Sequence, residues 1–474
     1  MAAPHPHDTD LSAFHGYANF ANWAAHGSFT KVKTLANAIH GKVILHRWTK
    51  PNGMEQDVVV KRMPRGSVLQ NQGKWTNESW SHRNPRSMHC PHPEDALTEI
   101  GVLSYLRQQE DLPLFLLRMM GSFTDGSNVL LVTEFIQDGE VFQQVQDRHL
   151  DNSEGVLRQL MWQLLHAVRY LHHHDIGHRD ISLENVLIAM PAEGRPPSLR
   201  LMDFGQAVRT RSRCRNVALR YFRTVGKPYY RSPEAYVPRS ETVRVIAPAA
   251  AAAGDVMFLD NLGPTGAPDG YSCEVRLPAD VRPGEPCDAE VWGYEVPPLD
   301  VFALGVCLFI LAWRIPPWGL ALRSDGTFQY IQAYGIQQLL TTWRLPLLSA
   351  EAMALLTDMM AANPQRRPSA EDCLASEWLR PLAEAQVPVH AVEDDVVDPA
   401  VAAIARMEIA ADRRMVNWGD TWADDLRTAV REIAGTGYRI TDAHGQQRIE
   451  RAGQPGELEE VPLPSAFPLC VSVN

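Results

Sequence analysis

The sequence predicts an α+β chain of two unlike parts, a β-rich first part and a larger helical second part. Two patterns carry this reading. From Phe29 to Met63 three β-type runs follow one another, "FTKVKTLA", "GKVILHRWT" and "EQDVVVKRM", and two more appear around 114–121 and 129–135. After "QDG" at 137–139 the apolar residues recur at helical spacing, first over 153–172. A chain of 474 residues exceeds one hydrophobic core, so two or three structural units are expected.

Taken in order, residues 1–27 are rich in Ala, His and Asn and read as a tail or a docked short helix. "KPNG" at 50–53 is a good hairpin turn between the second and third strands. Residues 64–93 are polar, basic and proline-bearing, and read as a loop insertion; His82, His89, Cys90 and His92 within it fit no standard metal-ligand spacing. Residues 95–109 have helical spacing with Ile100, Leu103 and Leu106 on one face. The histidines at 172–174 close the long helix, where imidazoles complement its dipole. Residues 239–293 break the helical pattern with Pro, Gly and an alanine run. Inside, "VRVIAPAAAAAGD" and "VRLPADVRPGE" resemble each other weakly, which suggests a small β-type module or a chance likeness of Val/Pro/Gly-rich stretches. Helices resume to about Leu379. Residues 381–474 form an extension with an acidic linker, "VEDDVVD", a helix expected at 421–434, and strand-like pieces after it.

Composition narrows the function. Apolar content of 45% with 21% charged residues is ordinary for a globular protein, and a net charge of −11 argues against a nucleic-acid or anionic-membrane binder. Seven scattered cysteines suit a reducing compartment, where a Cys273–Cys287 disulfide is disfavoured. The N-terminus has neither the basic nor the apolar region of a secretory signal, and Ala2 stands where myristoylation needs glycine. The apolar run Val301–Trp313 falls short of the ~20 residues of a bilayer span, so no membrane span is expected. These features favour a cytoplasmic location, with the nucleus as the alternative.

The residues that bear chemistry lie in order along the chain. Phosphoryl transfer needs metal ligands, a cation on the phosphates and an acid that orients the attacking hydroxyl. "HRDISLENVLI" from His178 offers Asp180 as the acid and Asn185 as one metal ligand. "LMDFGQA" offers Asp203 as the second. "DVVVK" ends a strand with Lys61 for the phosphates, and Glu99 could hold that lysine, with Glu94 as a rival.

With these residues the chain resembles a eukaryotic-type protein kinase. "HRDISLEN" is similar to the catalytic loop, "DFG" to the magnesium motif and "VVVK" to the strand-three lysine. "YYRSPE" resembles the end of an activation segment, with Glu234 as its acid. "LDVFALGV" resembles the buried helix whose Asp300 braces the catalytic loop. "NPQRRPSAEDCLASEWL" resembles the closing motif, where Arg367 would pair with Glu234. The resemblance covers about residues 28–380 and implies a two-lobed fold, small lobe 28–136 and large lobe 137–380 with the insertion at 239–293. It implies ATP and Mg2+ as cofactors, a protein substrate phosphorylated on serine or threonine, and a nucleotide site. In that site Leu35, Gly41, Val43, Val59 and Leu187 would lie against the nucleotide. Thr133 would be the gatekeeper, Glu134 and Ile136 would offer hinge backbone to adenine, and Glu140 would face the ribose or a basic substrate residue. Arg179 would receive a phosphate carried on Thr210, Ser212 or Thr224, ordering the arginine-rich segment 209–223.

The chain also departs from the family. The glycine-rich loop, "LANAIHGKV", keeps only Gly41, with Ala36 and Ala38 at the other two positions, which predicts a stiffer loop and weaker nucleotide binding. Ser182 stands where the family has a lysine beside the catalytic acid, and Lys227 where it has a threonine. The expectation is that Lys227 carries the displaced charge to Asp180 as a fourth catalytic residue with Lys61 and Glu99. Two other classes stay open: a pseudokinase that keeps the fold without efficient transfer, and a scaffold. In either, the insertion or the extension would meet a regulatory partner.

Overall fold

The computed structural model describes residues 13–69, 94–190, 197–212, 217–238, 240–262 and 271–390, and the backbone of 438–443 and 446–451. The histidine-bearing stretch 70–93, the acidic linker, the expected helix at 421–434 and the final strand-like piece lie outside the described residues.

The small lobe is a six-stranded sheet in the order β1-β5-β6-β4-β3-β2. Its strands are β1 (Ala21–Asn22), β2 (Ser28–Ala38), β3 (Gly41–Thr49), β4 (Glu55–Pro64), β5 (Met119–Thr124) and β6 (Asn128–Glu134), with α1 (Arg65–Leu69) and α2 (Ala96–Arg107) between β4 and β5. Alternation along β4 sorts its side chains. Val58 and Val60 join Trp48, Phe123, Leu130 and Val132 in a cluster on one face, while Met63, of opposite parity, joins the core that contains α2. Val59 and Lys61 share the parity of Met63. The turn "KPNG" closes with Gly53 N–H on Lys50 O at 2.9 Å.

Residues 13–27 are not a tail. They supply β1, which pairs in parallel with β5, and two 3-10 turns. Phe14 and Tyr17 are buried against Tyr105 of α2. The His15 imidazole lies 2.6 Å from Asp95, which caps α2 by accepting the Thr98 N–H at 3.0 Å. The composition of this stretch hid two aromatic anchors.

The large lobe holds α3 (Val141–Gln146), α4 (Glu154–His173), β7 (Ile176–Gly177), β8 (Val186–Ala189), β9 (Ser198–Leu201) and β10 (Val208–Arg209). Next come β11 (Thr242–Ile246), β12 (Val256–Leu262), β13 (Tyr271–Arg276) and β14 (Pro286–Gly293). Then follow α5 (Val296–Trp313), α6 (Gly326–Tyr334), α7 (Ile336–Thr342), α8 (Ala350–Met359) and α9 (Ala370–Leu374), and β15 (Tyr438–Ala443) pairs with β16 (Gln446–Arg451) in the extension. Leu157, Leu160, Met161, Leu164, Leu165, Val168 and Leu171 of α4 recur at helical spacing and are buried. Helix α5 starts at Val296, five residues before the apolar run seen in sequence. By length and composition it could cross a membrane, but 89% of it is buried in the lobe. A helix apolar on every side belongs in a core.

The insertion is a four-stranded antiparallel sheet, order β11-β14-β13-β12, with its own core of Val245, Val275, Ala289 and Val291. Beyond the expected boundary at 380 the chain runs back across the molecule. Val389 bridges Pro113, and His390 N–H reaches Leu112 O at 2.9 Å.

Candidate active site

Lys61 and Glu99 meet across the small lobe, Nζ to Oε2 at 2.6 Å, with both side chains largely buried. The cap at Asp95 fixes the start of α2 and so sets which turn of the helix carries the carboxylate toward β4. Glu94 precedes the helix and does not take the lysine. Burial works against the Lys61 ammonium, but the carboxylates of Glu99 and Asp203 outweigh it and hold its pKa above the ordinary lysine value. Glu94 is pushed up to about 7, first by burial and then by repulsion from Asp203.

The catalytic loop is held from below by a buried carboxylate. Asp300 of α5 accepts the backbone N–H groups of His178 and Arg179, each at 2.9 Å, and lies 3.0 Å from His172 Nε2. Arg179 and Asp203 both adopt left-handed backbone, φ 65° and 66°, a conformation that costs about 1–3 kcal/mol for such residues and persists only where the surroundings impose it. Phe204 packs on the His178 ring at 5.1 Å, fixing the "DFG" turn against the loop.

Asp180 is gripped on one oxygen only. Its Oδ2 accepts Asn185 Nδ2 at 3.0 Å, while Oδ1 is buried with no hydrogen-bond partner among the described residues. Burial raises the Asp180 pKa, with Lys227 and His178 opposing it. Lys227 enters this pocket from the activation segment. Its ammonium donates to Ser182 Oγ at 2.8 Å and to Asn185 Oδ1 at 3.1 Å, and lies 3.7 Å from Asp180 Oδ2. Across the large lobe, Arg367 holds Glu234 with Nη1 and Nη2, at 2.5 and 2.8 Å.

Residues 66–245 match the family model for the protein kinase domain. The chain carries a protein kinase domain. Calcium-dependent protein kinase 24 of Arabidopsis thaliana is 24% identical over 287 residues, 60% of this chain and 37% of that protein. Calcium-dependent protein kinase 9 of Oryza sativa subsp. japonica is 26% identical over 293 residues, covering 61% and 38%. The ovarian-specific serine/threonine-protein kinase Lok of Drosophila melanogaster is 25% identical over 293 residues, covering 61% and 46%. The chain spans less than half the length of each of these curated relatives. The family match ends inside β11. Asp300 and Arg367 lie beyond the match, with the inserted sheet between it and them.

Of the residues expected at the nucleotide, Val43 pairs with Lys61, Val59 with Thr133, and Leu187 bridges Glu140. Thr133 is buried, and Leu35 is exposed on the long hairpin above the cleft. Glu134, at the hinge, takes the Arg118 N–H on its carboxylate at 2.8 Å, and Ile136 follows it, buried. The β2–β3 hairpin has register irregularities between Lys31 and Lys33 and between Thr34 and Ala36 and is paired from there to its tip, with Ala36 opposite Val43 and Ala38 opposite Gly41 around a turn at Ile39–His40. Packing requires the one glycine kept there. A Cβ on Gly41 would lie 1.9 Å from Arg62 O. His40 turns inward, its Nε2 3.1 Å from Glu94 O.

The expected phosphate receiver is already occupied. Arg179 is 4% exposed, donates through Nε to Gln206 O at 2.7 Å and lies 5.0 Å over the Tyr221 ring. Thr210 is 5% exposed, with its N–H on Asp175 O at 2.8 Å. On either side of 213–216 the activation segment packs on the large lobe, with Leu219 N–H on Thr210 O at 2.8 Å, while Thr224 is exposed. Sequence reasoning missed Tyr221. Its partners lie in the catalytic loop and the insertion, and no local pattern signals them.

Proposed function

We propose that this kinase domain transfers the γ-phosphate of ATP to a serine or threonine hydroxyl of a protein substrate. The observation that carries the reading is the half-held carboxylate of Asp180. Oδ2 is fixed by Asn185, and Oδ1, buried and without a partner among the described residues, is the acceptor left for a substrate hydroxyl. A catalytic acid must be held in one orientation and still offer one atom to the reacting group. The hydroxyl oxygen bonds to the γ-phosphorus, the bond from phosphorus to the bridging oxygen breaks and leaves ADP, and the proton passes to Oδ1.

The donor set fits magnesium. Asp203 and Asn185 supply hard oxygen ligands. Burial first, and then the carboxylates of Asp203, Glu99 and Asp180, push Glu94 up to about 7 against the pull of Lys61. Magnesium, when bound, would screen the phosphate oxygens and the charge that develops on them. Lys61, anchored by Glu99, would hold the phosphates from the small lobe. Lys227 would supply the second positive charge, and its hold on Asn185 Oδ1 must loosen for Asn185 to ligate metal. The retained geometry of Lys61, Asp180 and Asp203 favours an enzyme over a pseudokinase.

Incubating the full chain with labelled ATP, Mg2+ and a serine/threonine peptide library should give acid-stable phosphoester on serine or threonine, and Asp203→Asn should abolish it. Label incorporated equally by wild type and Asp203→Asn would overturn the assignment of this site.

A further inference from the structure

The inserted sheet and the activation segment are joined by contacts that converge on one aromatic side chain. Tyr221 exchanges two backbone hydrogen bonds with Tyr294, just after β14, each at 2.9 Å. Its hydroxyl donates to Arg209 O at 2.5 Å, and its ring is 0% exposed under the Arg179 guanidinium. Next to it, Arg220 is shared between Glu274 of β13 and Glu295, the latter at 2.5 Å. Glu274 is 4% exposed and takes Gln365 Nε2 at 3.1 Å, so the grip continues into the closing motif of the large lobe. The approach is close enough to dictate the residue at 293. Gly293 has φ +70°, and a Cβ there would lie 2.6 Å from Tyr221 O and from the Phe222 ring.

We propose that Tyr221 is a positioning residue for phosphoryl transfer, pressed on Arg179 by the inserted sheet, and that this hold replaces an activation-segment phosphate. The inference rests on the kinase reading above. A guanidinium next to the catalytic acid needs a fixed partner, and a desolvated aromatic face is one. Here the face also excludes the alternative. A phosphate approaching Arg179 from the Tyr221 side would have to displace a fully buried ring, held by two backbone hydrogen bonds to Tyr294 just after the sheet and by the adjoining ion pairs. Arg179 Nη1 is buried with no hydrogen-bond partner among the described residues. Arg179 in turn sets Asp180 through their shared backbone, so a change at Tyr221 reaches the reacting atoms without touching substrate.

The test uses the full chain. Wild type treated with a broad-specificity phosphatase, its activation segment shown to be phosphate-free by mass spectrometry, should keep its kcat. Tyr221→Leu should lower kcat by at least about tenfold with the ATP KM nearly unchanged, and Tyr221→Phe, which keeps the ring, should recover most of it. Glu274→Gln should speed amide hydrogen exchange at 217–226 in a protein whose melting shows it to be folded. Loss of kcat on phosphate removal, or a Tyr221→Leu enzyme as fast as wild type, would overturn the proposal. Should wild type transfer no phosphate at all, the kinase reading fails by itself. The exchange measurement then still decides whether the sheet holds the segment, and unchanged exchange in Glu274→Gln would refute it.

Discussion

Lys227 lies 2.8 Å from Ser182 Oγ and 3.7 Å from Asp180 Oδ2, and these two distances relate the two departures from the family pattern to each other. A full-length lysine at 182 would compete for the space that the Lys227 ammonium uses, so a short hydroxyl there and a long cation at 227 are complementary. Removing a charge that stabilises a transferring phosphate in a closed site costs about 2–4 kcal/mol, or about two to three decades in turnover. Lys227→Met should therefore lower kcat by about that factor with the ATP KM within about twofold, and adding Ser182→Lys should restore part of the loss. Steady-state kinetics on the two variants checks this, and a Lys227→Met enzyme with wild-type kcat would remove the lysine from the mechanism. At this scale much was legible in the chain. Lys61, Asp180, Asn185 and Asp203 sit in short motifs whose spacing follows strand and loop geometry. The sequence favours Glu99 over Glu94, and the structure pairs it with Lys61; the helix start at Asp95, which sets that choice, is what the spacing left open.

The β2–β3 hairpin carries its ladder to the turn, and its alanines occupy paired positions in that ladder. Alanine holds such positions in strand conformation, where glycine would leave the backbone loose enough to approach a phosphate. Ala36→Gly with Ala38→Gly should lower the ATP KM and leave kcat nearly unchanged, and a double variant whose KM rises or stays put would show that the ladder does not limit binding. Elements with strong periodicity, such as β4, α2 and α4, could be placed from sequence to within a residue or two. The stretch 13–27 could not, because its anchors are two aromatics among small and polar residues, and what they pack on is α2, some eighty positions away. The inserted sheet was foreseen as a β-type module, but its four-strand order depends on pairings such as Val245 with Cys287, between strands that have β12 and β13 between them in sequence, which no local pattern encodes.

Across the whole molecule, residues 387–390 act as a strap that ends on the small-lobe segment between α2 and β5. His390 donates through Nε2 to Leu116 O at 2.9 Å, and burial pushes its imidazole down to about 4 from 6.5. A depressed imidazole pKa means the unfolded chain binds the proton more readily between those values. The stability from the neutral ring is thus complete above about pH 6.5 and is lost as pH falls toward about 4. Truncation after 380 should melt lower than truncation after 390 at pH 7.5, and the gap should shrink on acidification. His390→Gln, which keeps a donor for Leu116 O, should flatten part of the acid slope in the longer protein. Equal melting of the two truncations would show the strap to be idle. The contact joins residues 274 positions apart. A chain made from its N-terminus on a ribosome completes the surroundings of the segment between α2 and β5 only after the helices of the large lobe have been synthesised. The nascent small lobe and catalytic loop thus emerge well before the piece that fastens them, and a chain released before residue 390 would leave the ribosome unfastened.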